Sequence, residues 1–313
     1  MLVLIPDTIE LSLPNGADTY RVYDALAPHF AAQDADAEVL VTWGNSAANM
    51  QAATRELPML RVVQTLNAGP DQALAAGFAA HVQICSGRTL HDGPVTEHTL
   101  ALLLAVQRRL PALVAAQQRH DWAGAMVPAQ AAAATRQQYT LAGARVVILG
   151  FGSIAATLTP HLQALGATVV GVATRADRRA GVDVVAWSDI ATVVPTADLV
   201  VSILPHTAAT DGICDARFFA MLQPQAAFVN VGRGKTVDEA ALVAALTAGQ
   251  FRAAALDVTA TEPLPADSPL WECPNLLLTP HVAGGRPING SALVLAQVAA
   301  LTANQPLQNV AAR

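Results

Sequence analysis

A glycine-rich segment stands between a predicted strand and a predicted helix. Residues 150–155 read Gly-Phe-Gly-Ser-Ile-Ala and follow the apolar strand pattern of Arg145–Leu149. Gly150 would allow a tight turn, Gly152 a close approach of the backbone to pyrophosphate, and Ala155 close helix–strand packing. A plain strand–turn–helix is the alternative, but five further strand patterns downstream favour a dinucleotide phosphate loop. The N–H groups at a helix start bind phosphate oxygens, so we expect contacts from Gly150, Gly152, Ser153 and Ile154.

Two further side chains follow predicted strands of the same region. Arg233 comes after the strand pattern at 226–231, at the edge of a parallel sheet where ligands bind. Its guanidinium could bind a carboxylate and polarise a keto oxygen. The alternative is a surface arginine, which the flanking Gly232 and Gly234 disfavour because they imply a close backbone approach. His281 follows the last strand pattern, and an imidazole can donate and recover a proton near neutral pH.

The tip of the second predicted strand, Thr168–Ala173, carries no acidic residue. In NAD-binding sheets a carboxylate at this tip accepts hydrogen bonds from the adenosine ribose. Here Thr174 and Arg175 follow the strand, and Arg178 and Arg179 lie farther along the predicted loop. Arginine binds phosphate well, and the missing carboxylate removes a repulsion. We therefore expect NADP to be preferred, with NAD possible and Arg175 most important. A solvated basic loop is the alternative.

Two α/β units are expected to position these groups. The first ~90 residues alternate predicted strands with helices, as α/β domains do. The strands are expected at 1–5, 38–42 and 61–65, and the helices at 20–31 and 72–80.

The rest of the chain predicts a long helix, an arm and a βαβ series. The helix should cover 95–118, since Pro94 suits a first helical turn. Residues 121–138 are rich in Ala and Gln without a period and predict an irregular arm. Beyond the arm, apolar runs predict strands buried on both faces of a parallel sheet. The strands are expected at 145–149, 168–173, 199–204, 226–231, 253–258 and 276–279, and the helices at 154–165, 216–222, 239–248 and 290–303.

Composition excludes several classes of protein. With 53% apolar and 13% charged residues, the chain is not intrinsically disordered. Its net charge of -6 argues against nucleic acid or an anionic membrane as a partner. No apolar run approaches the ~20 residues of a membrane helix, and the start lacks a basic signal-peptide region. Cys85, Cys214 and Cys273 lie far apart, so neither a disulfide framework nor a metal site is expected. These features predict a cytoplasmic protein.

Several motifs occur in a familiar order. They are 93–98 (Gly-Pro-Val-Thr-Glu-His), 150–155, 204–207 (Leu-Pro-His-Thr), 231–234 (Val-Gly-Arg-Gly), 257–258 (Asp-Val), 262–265 (Glu-Pro-Leu-Pro) and 279–284 (Thr-Pro-His-Val-Ala-Gly). Together they resemble the D-isomer-specific 2-hydroxyacid dehydrogenases, which include glyoxylate/hydroxypyruvate reductases and phosphoglycerate dehydrogenases. The resemblance is densest from Gly93 to Gly284 and thinner in the first 90 residues.

The resemblance implies a domain arrangement. A Rossmann-type doubly wound parallel sheet domain, 94–284, would be inserted into a smaller flavodoxin-like α/β substrate domain. That substrate domain would comprise 1–93 and 285–313. The active site would lie in the cleft, and homodimers would form through the nucleotide domains.

The resemblance also implies roles for individual residues. Arg233, Glu262 and His281 would be catalytic, with Glu262 holding the imidazole; a loop charge beside a proline is the alternative for Glu262. The backbone N–H groups at Ala68 and Gly69 would join Arg233 in facing the substrate carboxylate, although Asn67 replaces a commoner serine or other small residue.

Further cofactor contacts would come from Pro205, Val231, Asp257 and Gly284. Asp257 would orient the nicotinamide carboxamide, with a helix or turn cap as the alternative. Glu97 and His98 would serve a domain hinge.

The function so implied is hydride transfer between NAD(P)H and a small 2-keto acid, giving a D-2-hydroxy acid. An NAD-linked phosphoglycerate dehydrogenase is an alternative, although the strand tip lacks its carboxylate and no C-terminal regulatory domain is expected. A cofactor-sensing corepressor is the alternative from another class, since such relatives keep Arg233, Glu262 and His281.

Overall fold

The computed structural model describes residues 1–14, 16 and 18–311, which form two α/β units. The first unit contains Met1–Asp92 and the chain from Arg286 onward, and the second contains Gly93–Gly285. Among the described residues no single helix is long and apolar enough to cross a membrane. Two consecutive helices, with a bend of 63° between them, are long and apolar enough only when they are counted together.

The elements alternate along most of the chain. The strands are β1 (Leu2–Pro6), β2 (Thr19–Tyr23), β3 (Val39–Thr42), β4 (Val62–Thr65), β5 (Gln83–Cys85), β6 (Arg145–Leu149), β7 (Thr168–Ala173), β8 (Asp177–Arg179), β9 (Val182–Ala186), β10 (Leu199–Ser202), β11 (Ala227–Asn230), β12 (Ala253–Leu256) and β13 (Leu276–Leu278). The helices are α1 (Ala47–Glu56), α2 (Asp71–Ala75), α3 (Asp92–Gln107), α4 (Leu110–Gln118), α5 (Met126–Ala131), α6 (Ser153–Ala164), α7 (Ala216–Ala220), α8 (Glu239–Thr247) and α9 (Gly290–Thr302).

The first unit is built on a parallel five-stranded sheet of order β2-β1-β3-β4-β5, the flavodoxin-like order. Its inner strands β3 and β4 are buried throughout, as their unbroken apolar character predicts. Helix α9 packs on this sheet, because Leu293 and Val298 share a core with Val3 and Val39.

The second unit is built on an eight-stranded sheet of order β13-β12-β11-β10-β6-β7-β9-β8. Every pairing is parallel except that of β8 with β9. From β9 to β12 the order is that of a doubly wound dinucleotide-binding sheet, with its switch point between β6 and β10. The predicted Rossmann-type fold class is therefore confirmed.

The helix predicted over 20–31 is wrong. Strand β2 occupies the start of this segment and pairs with β1 at the sheet edge. Asp24 then accepts hydrogen bonds from the backbone N–H groups of Leu26 and Ala27, which is a turn that competes with helix formation. The second early helix, predicted over 72–80, ends at Ala75.

The long helix predicted over 95–118 is also wrong, because it is two helices. Helix α3 ends at Gln107, and Arg109 adopts a left-handed backbone with φ of 57° before α4 begins. The arm at 121–138 is not wholly irregular, since it contains α5 and a 3₁₀ turn. The Gln107 side chain fixes the end of the arm by donating to the carbonyl oxygens of Gln137 (2.7 Å) and Thr140 (2.8 Å).

Four strands were not predicted, namely β2, β5, β8 and β9, and the last two lie beside the phosphate loop. The predicted basic loop after β7 instead forms a hairpin, in which β8 runs antiparallel to β9. Arg178 and Arg179 therefore belong to a strand, and the strand fixes the direction of each side chain. Strand β5 completes the first sheet.

Candidate active site

The candidate site residues of the second unit lie at one edge of its sheet. Strands β6, β10, β11, β12 and β13 are parallel and in register, so their carboxyl ends lie side by side. The loops that leave these ends carry Gly150, Pro205, Arg233, Asp257 and His281 in that order. Ligands of open α/β sheets bind at this edge, next to the switch point.

The phosphate loop has room for a pyrophosphate. Gly150 has a φ of +88°, and a Cβ there would lie 2.8 Å from the carbonyl oxygen of Ile203, so glycine is required. A Cβ on Gly152, the first residue before α6, would meet nothing within 4 Å. The Ile154 N–H finds no protein acceptor among the described residues. An open helix start with an unsatisfied donor fits the phosphates of a dinucleotide.

The phosphate loop is fixed to the sheet by Phe151. Its ring is 3% exposed and covers Gly171 so closely that a Cβ at this position of β7 would overlap the ring. The Phe151 carbonyl oxygen accepts a hydrogen bond from Arg179 Nη1 at 3.1 Å. The loop is therefore held from both its side chain and its backbone.

His281 and Glu262 form a close pair. His281 Nδ1 lies 2.6 Å from Glu262 Oε2, and the Thr259 N–H donates to Glu262 Oε1 at 3.0 Å. A carboxylate on Nδ1 favours the tautomer with its proton there and leaves Nε2 as the other ring nitrogen for exchange. Both side chains line a cavity of about 580 Å³ in the second unit, whose other lining residues include Leu264 and Trp271.

Asp257 holds the turn that carries His281. The Asp257 carboxylate is 1% exposed and accepts hydrogen bonds from the backbone N–H groups of Val282 and Ala283, each at 3.0 Å. The Thr279 hydroxyl donates to it at 2.6 Å. His281 itself has a left-handed backbone with φ of 53°. Such a conformation is costly for a non-glycine residue and persists where the surroundings impose it. The observed contacts of Asp257 are those of a turn cap, and its cofactor role stays a prediction.

His98 contacts this turn from α3. Its Nε2 lies 3.0 Å from Thr279 Oγ1 and 3.2 Å from Asp257 Oδ1. The motifs imply a hinge role for His98 and no separate role for Thr279. Only the fold shows that a residue about 180 positions earlier in the chain supports the His281 turn.

The Arg233 loop is wedged between two others. Gly232 packs against the backbone of Leu204, and Gly234 against the backbone of Thr259, so closely that a Cβ at either position would overlap it. The close approach that the two glycines predict is thus made to protein backbone. The Arg233 carbonyl oxygen accepts hydrogen bonds from Asn230 Nδ2 (3.1 Å) and from the Thr236 hydroxyl (2.6 Å). Neither of these supporting residues is predicted from the motifs.

In the first unit, Ala68 and Gly69 follow the carboxyl end of β4. Their backbone N–H groups have no acceptor within the residues that the structure describes. The loop is held by Asn67, whose Nδ2 donates to Thr65 Oγ1 (3.2 Å) and whose carbonyl oxygen accepts from the Gly87 N–H (2.7 Å). Two available donors in a fixed loop suit an anionic group.

The remaining predicted residues lie at the same sheet edge of the second unit. Exposed Thr174 and Arg175 leave the end of β7, and Val231 directly follows β11. Ser153 is the first residue of α6, and Gly284 ends the turn of His281. His206, to which no role was assigned, pairs with Asp211 at 2.8 Å.

Comparison with known proteins agrees with this geometry. The family model described as "D-isomer specific 2-hydroxyacid dehydrogenase, NAD binding domain" matches residues 100–283, which is more than half of the chain. The chain belongs to the D-isomer specific 2-hydroxyacid dehydrogenase family. The resemblance stated from the motifs is therefore confirmed.

Individual members of the family support the assignment. Glyoxylate/hydroxypyruvate reductase B of Citrobacter koseri is 33% identical over 245 residues, 76% of this chain and 73% of that protein. D-3-phosphoglycerate dehydrogenase of Mycobacterium bovis is 31% identical over 284 residues. That match covers 88% of this chain but 49% of the relative, so the chain spans about half the length of the first curated relatives it matches.

A solved family structure covers nearly the whole chain. The NADPH-dependent glyoxylate/hydroxypyruvate reductase from Sinorhizobium meliloti, in complex with NADP and sulfate, has a TM-score of 0.80 and 25% identity. The likeness covers 99% of this chain and 97% of that one. Both α/β units therefore have counterparts in this family.

Proposed function

We propose that this protein is an NADPH-dependent reductase of small 2-keto acids that yields D-2-hydroxy acids. The observation that carries the proposal is the 2.6 Å pair of His281 and Glu262, at the sheet edge that also holds the phosphate loop. The similarity to glyoxylate/hydroxypyruvate reductases supports glyoxylate and hydroxypyruvate as substrates.

His281 is the proposed proton donor to the substrate oxygen. With Nδ1 protonated toward Glu262, its Nε2 can deliver a proton to an alkoxide in reduction and take it back in oxidation. Glu262 stabilises the imidazolium and keeps the ring oriented, and the Thr259 N–H holds Glu262 in turn.

Arg233 is the proposed carboxylate and carbonyl ligand. Its guanidinium can bind the substrate carboxylate and stabilise negative charge on the keto oxygen. We also propose that the N–H groups of Ala68 and Gly69 bind that carboxylate, which makes the first unit (residues 1–92 and from 286 onward) the substrate domain.

When bound, the cofactor supplies or accepts the hydride. We propose that the phosphate loop residues Gly150, Gly152, Ser153 and Ile154 bind its pyrophosphate. Pro205, Val231, Asp257 and Gly284 would complete its site, with Asp257 acting chiefly through the turn that it caps. NADP in the related Sinorhizobium meliloti structure supports a preference for NADPH, as does the strand tip without a carboxylate.

Removal of Arg175 tests the cofactor preference. A charged phosphate–arginine pair contributes about 1.5–3 kcal/mol, or roughly 10- to 100-fold in affinity. Arg175→Ala should therefore weaken NADPH binding by about that factor and barely change NADH binding, as measured by fluorescence titration. An equal loss for both cofactors would contradict a role for Arg175 at the 2′-phosphate.

A phosphoglycerate dehydrogenase activity is the second candidate, favoured by the 31% identity to the Mycobacterium bovis enzyme over most of this chain. Against it, Ala173, the last residue of β7, stands in place of the carboxylate that NAD-linked enzymes use.

We further propose a cytoplasmic homodimer formed through the second units, as the family resemblance implies. The acidic chain and its three buried free cysteines fit a reducing compartment. Sedimentation of the purified protein would test the dimer.

The function is tested by a substrate panel. Glyoxylate, hydroxypyruvate, pyruvate and 3-phosphohydroxypyruvate are each incubated with NADPH and with NADH, and oxidation of the nicotinamide is followed. We expect glyoxylate and hydroxypyruvate to turn over, and faster with NADPH. Efficient use of only the phosphorylated acid with NADH would favour the second candidate. Cofactor binding without any turnover would favour a sensing protein.

A further inference from the structure

The two arginines of β8 point to different partners. Arg178 donates to Asp183 Oδ1 (3.0 Å) and to the Gly181 carbonyl oxygen (3.2 Å), both in its own hairpin, and its side chain is 72% exposed. Arg179 reaches the phosphate loop at the Phe151 carbonyl oxygen, and its side chain is 40% exposed. The sequence-based expectation treats them alike, whereas the hairpin places only Arg179 at the cofactor loop.

The Arg179 guanidinium is held by two hydrogen bonds and has further N–H groups that could bind a ligand. A guanidinium has five N–H groups. Arg179 gives one to Phe151 and one, from Nε, to Asp177 Oδ2 at 3.2 Å. Its Nη2 has no acceptor among the residues that the structure describes. Arg175, by contrast, is exposed and has no hydrogen-bond partner in the described part of the chain. A pre-positioned guanidinium loses less conformational entropy when it binds an anion.

The partner that holds Arg179 is a carboxylate close to the phosphate loop. Asp177 accepts hydrogen bonds from the Arg178 N–H (2.7 Å) and from Arg179 Nε, and these contacts lower the pKa of its carboxyl. Asp177 is thus ionised at neutral pH. A negative charge beside Arg179 opposes a bound phosphate and competes with it for the guanidinium.

We propose that Arg179 selects the cofactor by binding the 2′-phosphate of NADPH, and that Asp177 positions Arg179 and moderates this preference. The anchored Phe151 carbonyl places the Arg179 guanidinium beside the loop that binds the pyrophosphate. Loss of Arg179 should therefore affect selectivity at least as much as loss of Arg175. The inference rests on the dinucleotide binding included in the proposed function.

Calorimetry with two cofactor fragments tests the proposal. Adenosine 2′,5′-bisphosphate carries the distinguishing phosphate and 5′-AMP lacks it. Arg179→Ala should weaken binding of the bisphosphate by about 10- to 100-fold, the factor of a charged pair, and barely change 5′-AMP. Asp177→Asn should strengthen bisphosphate binding several-fold. Arg178→Ala is the matched control, since it removes an adjacent arginine that faces away, and should change neither affinity appreciably.

A second variant tests whether the charge of Arg179 is required. Arg179→Gln retains a hydrogen-bond donor on a shorter side chain but lacks the charge, so it should show the same selective loss as Arg179→Ala. Equal weakening of both fragments by Arg179→Ala, or no more effect than Arg178→Ala, would overturn the proposal. Because these titrations need no turnover, their outcome is independent of the proposed reaction. Absence of keto-acid reduction would leave the selectivity result intact. Failure of the selectivity test would likewise leave the proposed reduction of keto acids intact.

Discussion

Replacing His281 by alanine is expected to lower kcat by about 10²- to 10⁴-fold, the usual contribution of a general acid–base group. The variant lacks the imidazole whose Nδ1 contacts Glu262 and whose Nε2 would exchange the proton. The affinity for NADPH should stay nearly unchanged, since His281 is not among the proposed phosphate contacts. Steady-state kinetics with hydroxypyruvate and a separate NADPH titration measure the two quantities.

His29 provides a matched control for His281. It also pairs through Nδ1 with a glutamate, at 2.9 Å from Glu56, but it lies in the first unit and belongs to no motif. His29→Ala should leave kcat close to that of the wild type. Near-normal turnover in His281→Ala would remove His281 from the mechanism.

Replacing Arg233 by alanine is expected to impair both binding and turnover. Loss of a preorganised donor to the developing alkoxide costs about 10²- to 10³-fold in kcat. Loss of the charged contact to the carboxylate should raise KM by roughly another tenfold or more. Arg233→Lys should recover only part of the loss, because an ammonium lacks the planar fork.

Lys235 is the control for Arg233. It is the next cation in the chain and its side chain is exposed, so Lys235→Ala should have little effect. A rise of KM alone in Arg233→Ala would limit this arginine to binding the substrate, since a transition-state contact must also lower kcat.

In the second unit, the sequence predicted strands β6, β7 and β10 to β13 for a physical reason. Strands such as β6 and β10 are apolar because both faces are covered, and such runs are easily recognised. Edge strand β2 is half-exposed and partly polar, and its residues predict a helix when read alone. The three-residue strand Asp177–Arg179 carries only charged side chains and resembles a loop. Short edge strands depend on pairing with a neighbour, which local sequence does not encode.

Only those residues of the candidate site that belong to a recognisable motif could be predicted from the sequence. Arg233, Glu262 and His281 stand in motifs, so their roles could be proposed, and the structure places Glu262 against His281. The support from His98 and the contact between Arg179 and the phosphate loop join residues from different elements. Such contacts follow from tertiary packing and have no sequence signature.

The most direct test of the proposed function is the chirality of the product. Hydroxypyruvate is reduced by the purified protein with NADPH, and the glycerate formed is resolved by chiral chromatography. We expect NADPH-dependent formation of D-glycerate, abolished or strongly slowed in His281→Ala. Formation of L-glycerate, or no glycerate from a protein that binds NADPH, would contradict it.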